Sequence, residues 1–74
     1  MNISKQVGAN LKRARKELNK TQSEVAYILH MTQQQYSRFE NGVFELNYEQ
    51  ILQLCDILNT TPNELFSIDN KSFI

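Results

Sequence analysis

Residues 21–42 read TQSEVAYILHMTQQQYSRFENG, and this stretch decides the fold of the chain. We predict that it forms two short helices joined by a tight turn. Thr21 can begin the first helix, because its hydroxyl accepts from free backbone N–H groups and Glu24, three residues on, can cap back. Thr32 can begin the second helix in the same way. Gly42 ends the second helix, since glycine readily adopts the left-handed conformation that follows helices.

Apolar residues give each of these two helices one side to bury. On the first helix, Val25, Ala26 and Leu29 recur at helical spacing. On the second helix, Tyr36 and Phe39 supply the buried side. Only two residues separate the helices, so we expect them to cross at a steep angle. Ala26 is expected at the crossing, because a larger side chain there would hold the two backbones apart.

The exposed side of the second helix has an unusual composition. It is polar with a single charge, and its residues are Gln33, Gln34, Ser37 and Arg38. An ordinary solvated helix face is rich in Lys and Glu. Glutamine instead offers a donor and an acceptor that match the N6/N7 edge of adenine, and arginine matches O6/N7 of guanine. We interpret this side as a surface that reads bases, and plain solvent exposure of the two glutamines is the alternative.

Charge is divided unevenly along the chain. The net charge of the 74 residues is zero, which by itself argues against a strong nucleic-acid binder. Residues 1–20, however, carry six basic residues and one acidic residue, a net charge of +5, whereas residues 21–74 carry two basic and seven acidic residues, a net charge of −5. A domain polarised in this way can present a basic side to phosphate groups while remaining neutral overall.

Three further helices are predicted from similar signals. An apolar stripe predicts a helix over residues 3–18, Asn47 caps a fourth helix, and Thr61, followed by a proline, begins a short fifth one. We expect the first helix to bury Ile3, Val7, Leu11, Ala14 and Leu18. We expect the fourth helix to bury Tyr48, Ile51, Leu54, Cys55 and Leu58. The sequence therefore predicts an all-α fold of five helices with no strand.

Length and composition exclude several classes of protein. We predict one domain over residues 1–68 and a short tail at residues 69–74. One Cys and one His cannot form a disulfide or a typical zinc site, so we expect no metal and no cofactor. The chain has no apolar run long enough to span a membrane and no apolar signal core, which favours a cytoplasmic protein. We see no carboxylate pair, nucleophile–base pair or Gly-rich phosphate loop, and we therefore do not expect an enzyme.

The chain resembles the DNA-binding domain of the phage repressor and Cro family, the xenobiotic-response-element-like regulators, over roughly residues 5–66. The residues that carry the resemblance are Gln22, Ala26, Tyr36, Phe39, Glu40, Asn41 and Gly42, with Val7, Gly8, Leu11, Arg15, Leu58 and residues 62–66 outside that stretch. The resemblance implies a repressor-like domain in which residues 21–41 form a helix-turn-helix whose second helix enters the major groove. It also implies that Arg15 pairs with Glu40. We interpret that pair as structural, because an arginine fork against a carboxylate fixes two helices in register.

The sequence departs from the family pattern at two places. His30 lies in the turn between the two helices, where the family usually has glycine, and histidine tolerates positive φ better than most residues. The loop at residues 43–46 is often basic in the family, but here it carries Glu45 and no Lys or Arg, which weakens the case for contacts from this loop to the DNA backbone. For Phe44, packing against the domain and solvent exposure both remain open.

The leading hypothesis is a sequence-specific double-stranded DNA-binding transcription regulator, acting as a repressor or controller. Gln33 and Gln34 would read bases, and Arg38 would read a base or a nearby phosphate. Gln22 would hold the DNA backbone, because it lies at a helix N-terminus whose N–H groups favour an anion. Asn41 would do so by resemblance. The other candidates for backbone contacts are Thr32, Ser37, Lys20 and Lys12, and a solvated role is the alternative for each lysine.

We also expect a homodimer, because one recognition helix covers too few base pairs for useful specificity in a genome. Family members dimerise on pseudo-palindromic sites, with one half-site for each protomer. The apolar residues that could form the dimer interface are Ile57, Phe66, Ile68, Phe73 and Ile74. Ile57 is included because it lies well off the apolar stripe of the fourth helix. The alternative is that Phe66 and Ile68 complete the domain core and that the tail is disordered. The alternative hypothesis is a protein-interaction module, such as an antitoxin that binds a toxin partner through the apolar tail.

Overall fold

Five helices make up the part of the chain that the structure describes, residues 2–68. This computed structural model contains α1 (Ile3–Glu17), α2 (Gln22–Ile28), α3 (Gln33–Glu40), α4 (Tyr48–Ile57) and α5 (Pro62–Leu65). No strand occurs within residues 2–68. The predicted all-α fold is therefore confirmed, and α2 and α3 are the helix-turn-helix.

The predicted N-caps form as hydrogen-bonded pairs. The Thr21 hydroxyl accepts from the Glu24 backbone N–H, and the Glu24 carboxylate accepts from the Thr21 N–H at 2.9 Å. The same reciprocal arrangement begins α3 and α4, where the pairs are Thr32 with Gln35 and Asn47 with Gln50. At α5 the Thr61 hydroxyl accepts from the Glu64 N–H, and a proline occupies the first helical position. Each cap satisfies N–H groups that a helix start leaves without a partner.

A left-handed residue follows every one of these helices. These residues and their φ angles are Asn19 at 56°, His30 at 58°, Gly42 at 73°, Asn59 at 52° and Ser67 at 56°. His30 thus takes, in the turn between α2 and α3, the conformation that glycine adopts most easily. A residue in this conformation ends each helix and turns the chain away from the helix axis.

The hydrophobic core is formed by residues of all five helices. Its buried members are Val7, Leu11, Val25, Ala26, Tyr36, Phe39, Leu54, Cys55, Leu58 and Leu65. Ala14, Leu29 and Ile51 are partly buried against it. Ala26 is buried, as its predicted place at the crossing of α2 and α3 requires.

Three residues that we predicted in the buried stripes are exposed instead. Ile3 is 58 % exposed because it occupies the first turn of α1, and Leu18, at 38 %, is the C-cap of the same helix. Tyr48 is 88 % exposed, because it is the first residue of α4 and helical side chains lean toward the N-terminus, here away from the core. The periodic pattern is correct for the middle of α1 and α4 and for the C-cap of α4, Leu58, and it fails at both ends of α1 and at the first residue of α4.

α1 and α3 come into backbone contact at Gly8. A Cβ atom added at Gly8 would lie 2.5 Å from the Phe39 carbonyl oxygen and closer still to that of Glu40. No real Cβ is found at such distances, so any larger residue would push the two helices apart. Glycine at this position therefore allows the basic α1 to lie directly against the C-terminal end of α3.

Candidate nucleic-acid interface

The polar side of α3 faces solvent as the sequence predicts. Gln33, Gln34 and Arg38 are exposed, and Ser37 is half-buried. Thr32, immediately before the helix, is exposed too, and its hydroxyl oxygen accepts from the Gln35 N–H. The structure thus places all three predicted base-contacting residues on an accessible surface, although whether they contact bases stays a prediction.

A chain of hydrogen bonds connects α3 to a buried ion pair. The Gln33 side-chain amide donates to the Gln22 side-chain oxygen at 2.6 Å, and the Gln22 amide donates to Glu40 Oε1 at 3.0 Å. Arg15 donates from Nε to Glu40 Oε2 at 2.6 Å and from Nη2 to Glu40 Oε1 at 3.1 Å. The third nitrogen of Arg15, Nη1, donates to the Lys20 carbonyl oxygen at 2.8 Å.

This chain fixes the orientation of two side-chain amides. An ionised carboxylate can only accept, so Gln22 must turn its NH₂ group toward Glu40. The side-chain oxygen of Gln22 then faces Gln33, so Gln33 must donate to it from its NH₂ group. The carbonyl oxygen of Gln33 and the second hydrogen of its NH₂ group remain available, and they are the acceptor and donor that a bidentate contact with adenine uses.

The electrostatics of the ion pair follow from its burial. Burial by itself would raise the pKa of Glu40, but hydrogen bonds from Arg15, Gln22 and the nearby charge of Arg15 outweigh it and hold that pKa below the ordinary carboxyl value. The hydrogen bond to Glu40 likewise raises the pKa of Arg15. Both side chains are therefore charged at neutral pH, and Glu40 is the only buried acidic residue within residues 2–68.

Tyr36 lies beside this pair with a hydroxyl that has no hydrogen-bond partner among the described residues. Its side chain is fully buried, and burial, reinforced by the nearby Glu40 carboxylate, raises the pKa of the phenol. The hydroxyl is near both charged groups but does not reach either with normal hydrogen-bond geometry. The phenol is therefore neutral, and its ring acts as part of the core.

The predicted backbone-contacting residues lie on three helices and on the connection between α1 and α2. Lys12 is exposed on α1, and Lys20 is half-buried in the connection to α2. Gln22 is the first residue of α2 and is half-buried. Asn41 is exposed at the end of α3, and its amide donates to the Ser37 hydroxyl at 3.3 Å. The structure brings Gln22 into contact with α3 and leaves the contact of all these residues with phosphate as a prediction.

Phe44 makes a contact that the sequence left open. Its ring is 48 % exposed and meets the ring of buried Phe39 edge to face, with centroids 6.4 Å apart and planes at 65°. The guanidinium carbon of Arg38 lies 5.6 Å from the centroid of the Phe44 ring. Within residues 2–68 Arg38 has no salt bridge, so the Phe44 ring is its charge-stabilising contact. A sequence pattern could show only an aromatic residue near a basic one.

The residues that we predicted for a dimer interface are less free than expected. Ile57 lies off the stripe of Ile51, Cys55 and Leu58, but it is half-buried and packs against the core. Its role in a dimer interface stays a prediction. Phe66 is also half-buried against the core, whereas Ile68 is exposed. Phe73 and Ile74 lie outside the described residues. The exposed apolar residues of α4 are instead Tyr48 and Leu52.

Comparison with protein families gives a match over most of the chain. Residues 11–65 match the family model described as Helix-turn-helix. The chain belongs to this helix-turn-helix family of phage repressor and Cro type. Comparison with curated proteins found no match, and comparison with solved structures found none either. This helix-turn-helix protein is accordingly a DNA-binding transcription regulator.

None of the helices within residues 2–68 is both long and apolar enough to cross a bilayer. In the same part of the chain, no group of three or more His, Cys, Asp or Glu residues is arranged to hold a metal ion. Cys55 is buried, and burial raises the pKa of its thiol, which makes it a poor nucleophile.

Proposed function

We propose that this regulator reads a specific operator in double-stranded DNA with α3 in the major groove. The observation that carries the proposal is the oriented amide of Gln33, held through Gln22 against the buried Arg15–Glu40 pair. A free surface glutamine would lose side-chain entropy on binding and could present either end of its amide. A glutamine fixed in advance avoids much of that cost and selects one arrangement of donor and acceptor.

Base reading is assigned to three residues. Gln33 is best suited to adenine, because its hydrogen bond to Gln22 leaves one donor and one acceptor of its amide available. Gln34 is the next residue and is also exposed in the first turn of α3. Arg38 lies about one turn farther along and would contact a guanine or a nearby phosphate. Residues in the N-terminal part of a recognition helix are the ones that reach base edges in this class of motif.

Contacts to phosphate would position α3 without reading sequence. Gln22 begins α2, where free N–H groups and the helix dipole favour an anion. Lys12 and Lys20 come from the strongly basic first twenty residues, and Asn41 and Ser37 lie at the other end of α3. Each phosphate contact releases counterions from DNA, so binding should weaken steeply as salt is raised.

The proposal includes a homodimer on a pseudo-palindromic operator. A single α3 covers only a few base pairs, which is too little for selective binding in a genome. The surface that we propose for dimerisation consists of the end of α4, α5 and the segment that follows, with Ile68 as its exposed apolar residue and Ile57 and Phe66 at its base. Repression or control of transcription in the cytoplasm is part of the same proposal, because such a protein acts by occupying DNA.

A protein-interaction module is the second candidate. The exposed Tyr48 and Leu52, one turn apart on α4, favour it, because two large apolar side chains on one face suit a protein partner. An antitoxin that binds both DNA and a toxin would combine the two functions. Binding to a protein partner through an apolar surface would show little dependence on salt, whereas binding to DNA would show much.

The deciding experiment is selection of duplexes from a random pool by the full chain, followed by measurement of affinity at several salt concentrations. We expect a consensus with two-fold symmetry and an affinity that falls linearly with salt on logarithmic axes. Recovery of no consensus, together with salt-dependent binding to any duplex, would contradict sequence-specific reading. A lack of any DNA binding would favour the interaction module.

A further inference from the structure

The ring of Phe44 lies between the hydrophobic core and the surface of α3. On one side it packs edge to face against Phe39, which is buried. On the other side the Arg38 guanidinium lies over it, with its central carbon 5.6 Å from the ring centroid. Phe44 thus connects a fixed core residue to a residue on the exposed side of the helix.

The backbone fixes this arrangement. The N–H of Gly42 donates to the Phe39 carbonyl at 3.1 Å, and the N–H of Val43 donates to the Arg38 carbonyl at 2.9 Å. The loop after α3 is therefore folded back onto the last turn of that helix. Phe44 is held close to Arg38 by main-chain bonds as well as by its own packing, so the two side chains do not meet by chance.

A cation–π contact constrains an arginine without occupying its donors with a hydrogen-bond acceptor. The ring attracts the positive charge of the guanidinium through its π face and offers no oxygen or nitrogen acceptor to the N–H groups. Within residues 2–68 Arg38 has neither a salt bridge nor a side-chain hydrogen bond, and its donors stay available. A carboxylate partner would have held the side chain equally well but would have occupied those donors.

We propose that Phe44 is a positioning residue for DNA recognition, which holds the Arg38 guanidinium in the orientation that contacts the operator. The inference rests on the proposed function, since it requires that Arg38 contacts DNA. Phe44 itself need not touch the nucleic acid. It restricts the rotamers of a long side chain before binding, and it compensates for the absence of basic residues in the loop at residues 43–46.

A double-mutant cycle on the selected operator tests the inference. Phe44→Leu keeps an apolar side chain against Phe39 but removes the ring, and Phe44→Tyr keeps the ring. We expect Phe44→Leu to weaken operator binding about 2–5-fold, as an exposed cation–π contact implies, and Phe44→Tyr to bind like the wild type. In the Arg38→Ala background, Phe44→Leu should cause no further loss. Val43→Ala, in the same loop, is the matched control and should leave affinity unchanged.

A second measurement needs no DNA. In the free protein, the δ-methylene protons of Arg38 should resonate upfield through the ring current of Phe44, and this shift should disappear in Phe44→Leu but remain in Phe44→Tyr. Melting temperatures of the variants show whether each is folded. The inference alone would be overturned if the losses of operator affinity from Phe44→Leu and Arg38→Ala were additive in the double mutant. This outcome requires that the variants are folded and still select the wild-type consensus. Failure of the wild type to select any consensus would overturn the proposed function and the inference with it.

Discussion

Arg15 on α1 and Glu40 at the end of α3 form a two-point ion pair in the interior of the domain. Nε and Nη2 of the arginine donate to the two carboxylate oxygens at 2.6 and 3.1 Å, and both side chains are almost completely buried. The Gln22 amide also donates to Glu40, and Nη1 of Arg15 donates to the Lys20 carbonyl oxygen. The pair therefore connects three parts of the fold, and several of the expected properties of the protein depend on it.

Removal of either partner should destabilise the fold strongly. We expect Arg15→Ala to lower the free energy of unfolding by about 3 kcal/mol or more, because the Glu40 carboxylate would be left buried and unpaired. Lys16→Ala, an exposed change on the same helix, should alter it by less than about 0.5 kcal/mol. Urea unfolding measures both values. Equal stability of the two variants would show that the pair contributes nothing beyond a surface charge.

The same pair should make stability depend on acid pH. The pKa of Glu40 is lower in the folded protein than its ordinary value of 4.5, so the unfolded chain binds a proton more readily. The contribution of Glu40 is therefore fully present above that ordinary pKa and is lost as pH falls through the lower, folded value. Glu24 also has a lowered pKa, because of its hydrogen bonds to Thr21. The pH dependence of wild-type stability alone therefore does not separate the contribution of Glu40 from that of Glu24.

The isolating comparison is between the wild type and Glu40→Gln. We expect the variant to be less stable at pH 7 and the difference in unfolding free energy to narrow as the pH is lowered below about 4.5, because the variant has no carboxylate to protonate at this position. Urea unfolding at a series of pH values measures that difference. A difference in unfolding free energy that stays constant from pH 7 to pH 3 would contradict the lowered pKa of Glu40.

Base reading by Gln33 should be visible as a local loss of specificity. Gln33→Ala is expected to cost about 1–3 kcal/mol at one base pair of each half-site and to relax the selected consensus there. Gln53→Ala removes an exposed glutamine from α4 and is the matched control, with no change expected. Lys12→Ala should instead weaken binding evenly across sequences and reduce the salt slope by about one. An unchanged consensus with Gln33→Ala would mean that another surface reads the DNA.

Removal of the unpartnered Tyr36 hydroxyl should not lower the stability of the fold, in contrast to removal of Arg15. Tyr36→Phe removes a buried polar atom without removing the ring, so the free energy of unfolding should stay constant or rise by about 1 kcal/mol. Thermal or urea unfolding checks this. A loss of more than about 1 kcal/mol would show that the hydroxyl has a partner that stabilises the fold.

Dimerisation should depend on the surface beyond α4. The protomer mass is 8.7 kDa, and sedimentation at micromolar concentration should show twice that value. Ile68→Asp should halve the observed mass and weaken operator binding, and it is preferable to Ile57→Asp because Ile57 also supports the core. Leu52→Asp, on an exposed part of α4 outside the proposed interface, should remain dimeric. Dissociation by Leu52→Asp but not by Ile68→Asp would place the interface on the other face of α4.

The elements that local chemistry determines were predictable from the sequence. Capping boxes at Thr21 and Thr32 and the glycine after α3 depend on residues within a few positions of one another, so the helix-turn-helix could be located to within a residue or two. Periodicity correctly gave the middle of α1 but not its ends. Ile3 fits the pattern as well as Val7 does, and only the positions of neighbouring helices decide which of the two is buried.

The exposure of the candidate base-reading residues was predictable from the sequence, but their connections to the rest of the fold were not. The identity of Gln33 as an exposed polar residue follows from composition, whereas its hydrogen bond to Gln22 joins positions eleven apart and depends on the angle between α2 and α3. The stacking of Arg38 on Phe44 likewise depends on how the loop folds back after Gly42. Resemblance to a family suggested the Arg15–Glu40 pair, because that contact spans 25 positions and no local pattern encodes it.

The close approach of α1 to α3 at Gly8 has a consequence for how the protein meets its target. With no side chain between the two backbones at Gly8, α1 and α3 lie in direct contact, and we expect them to move as one unit. Under the proposed function, the protein would then have little freedom to adapt its shape to a duplex, and most of the adjustment would fall to the DNA. Base steps that bend or narrow easily would be favoured even where no side chain touches them. We therefore expect the preferred operator sequence to depend on the flexibility of its base steps as well as on hydrogen bonds to its bases.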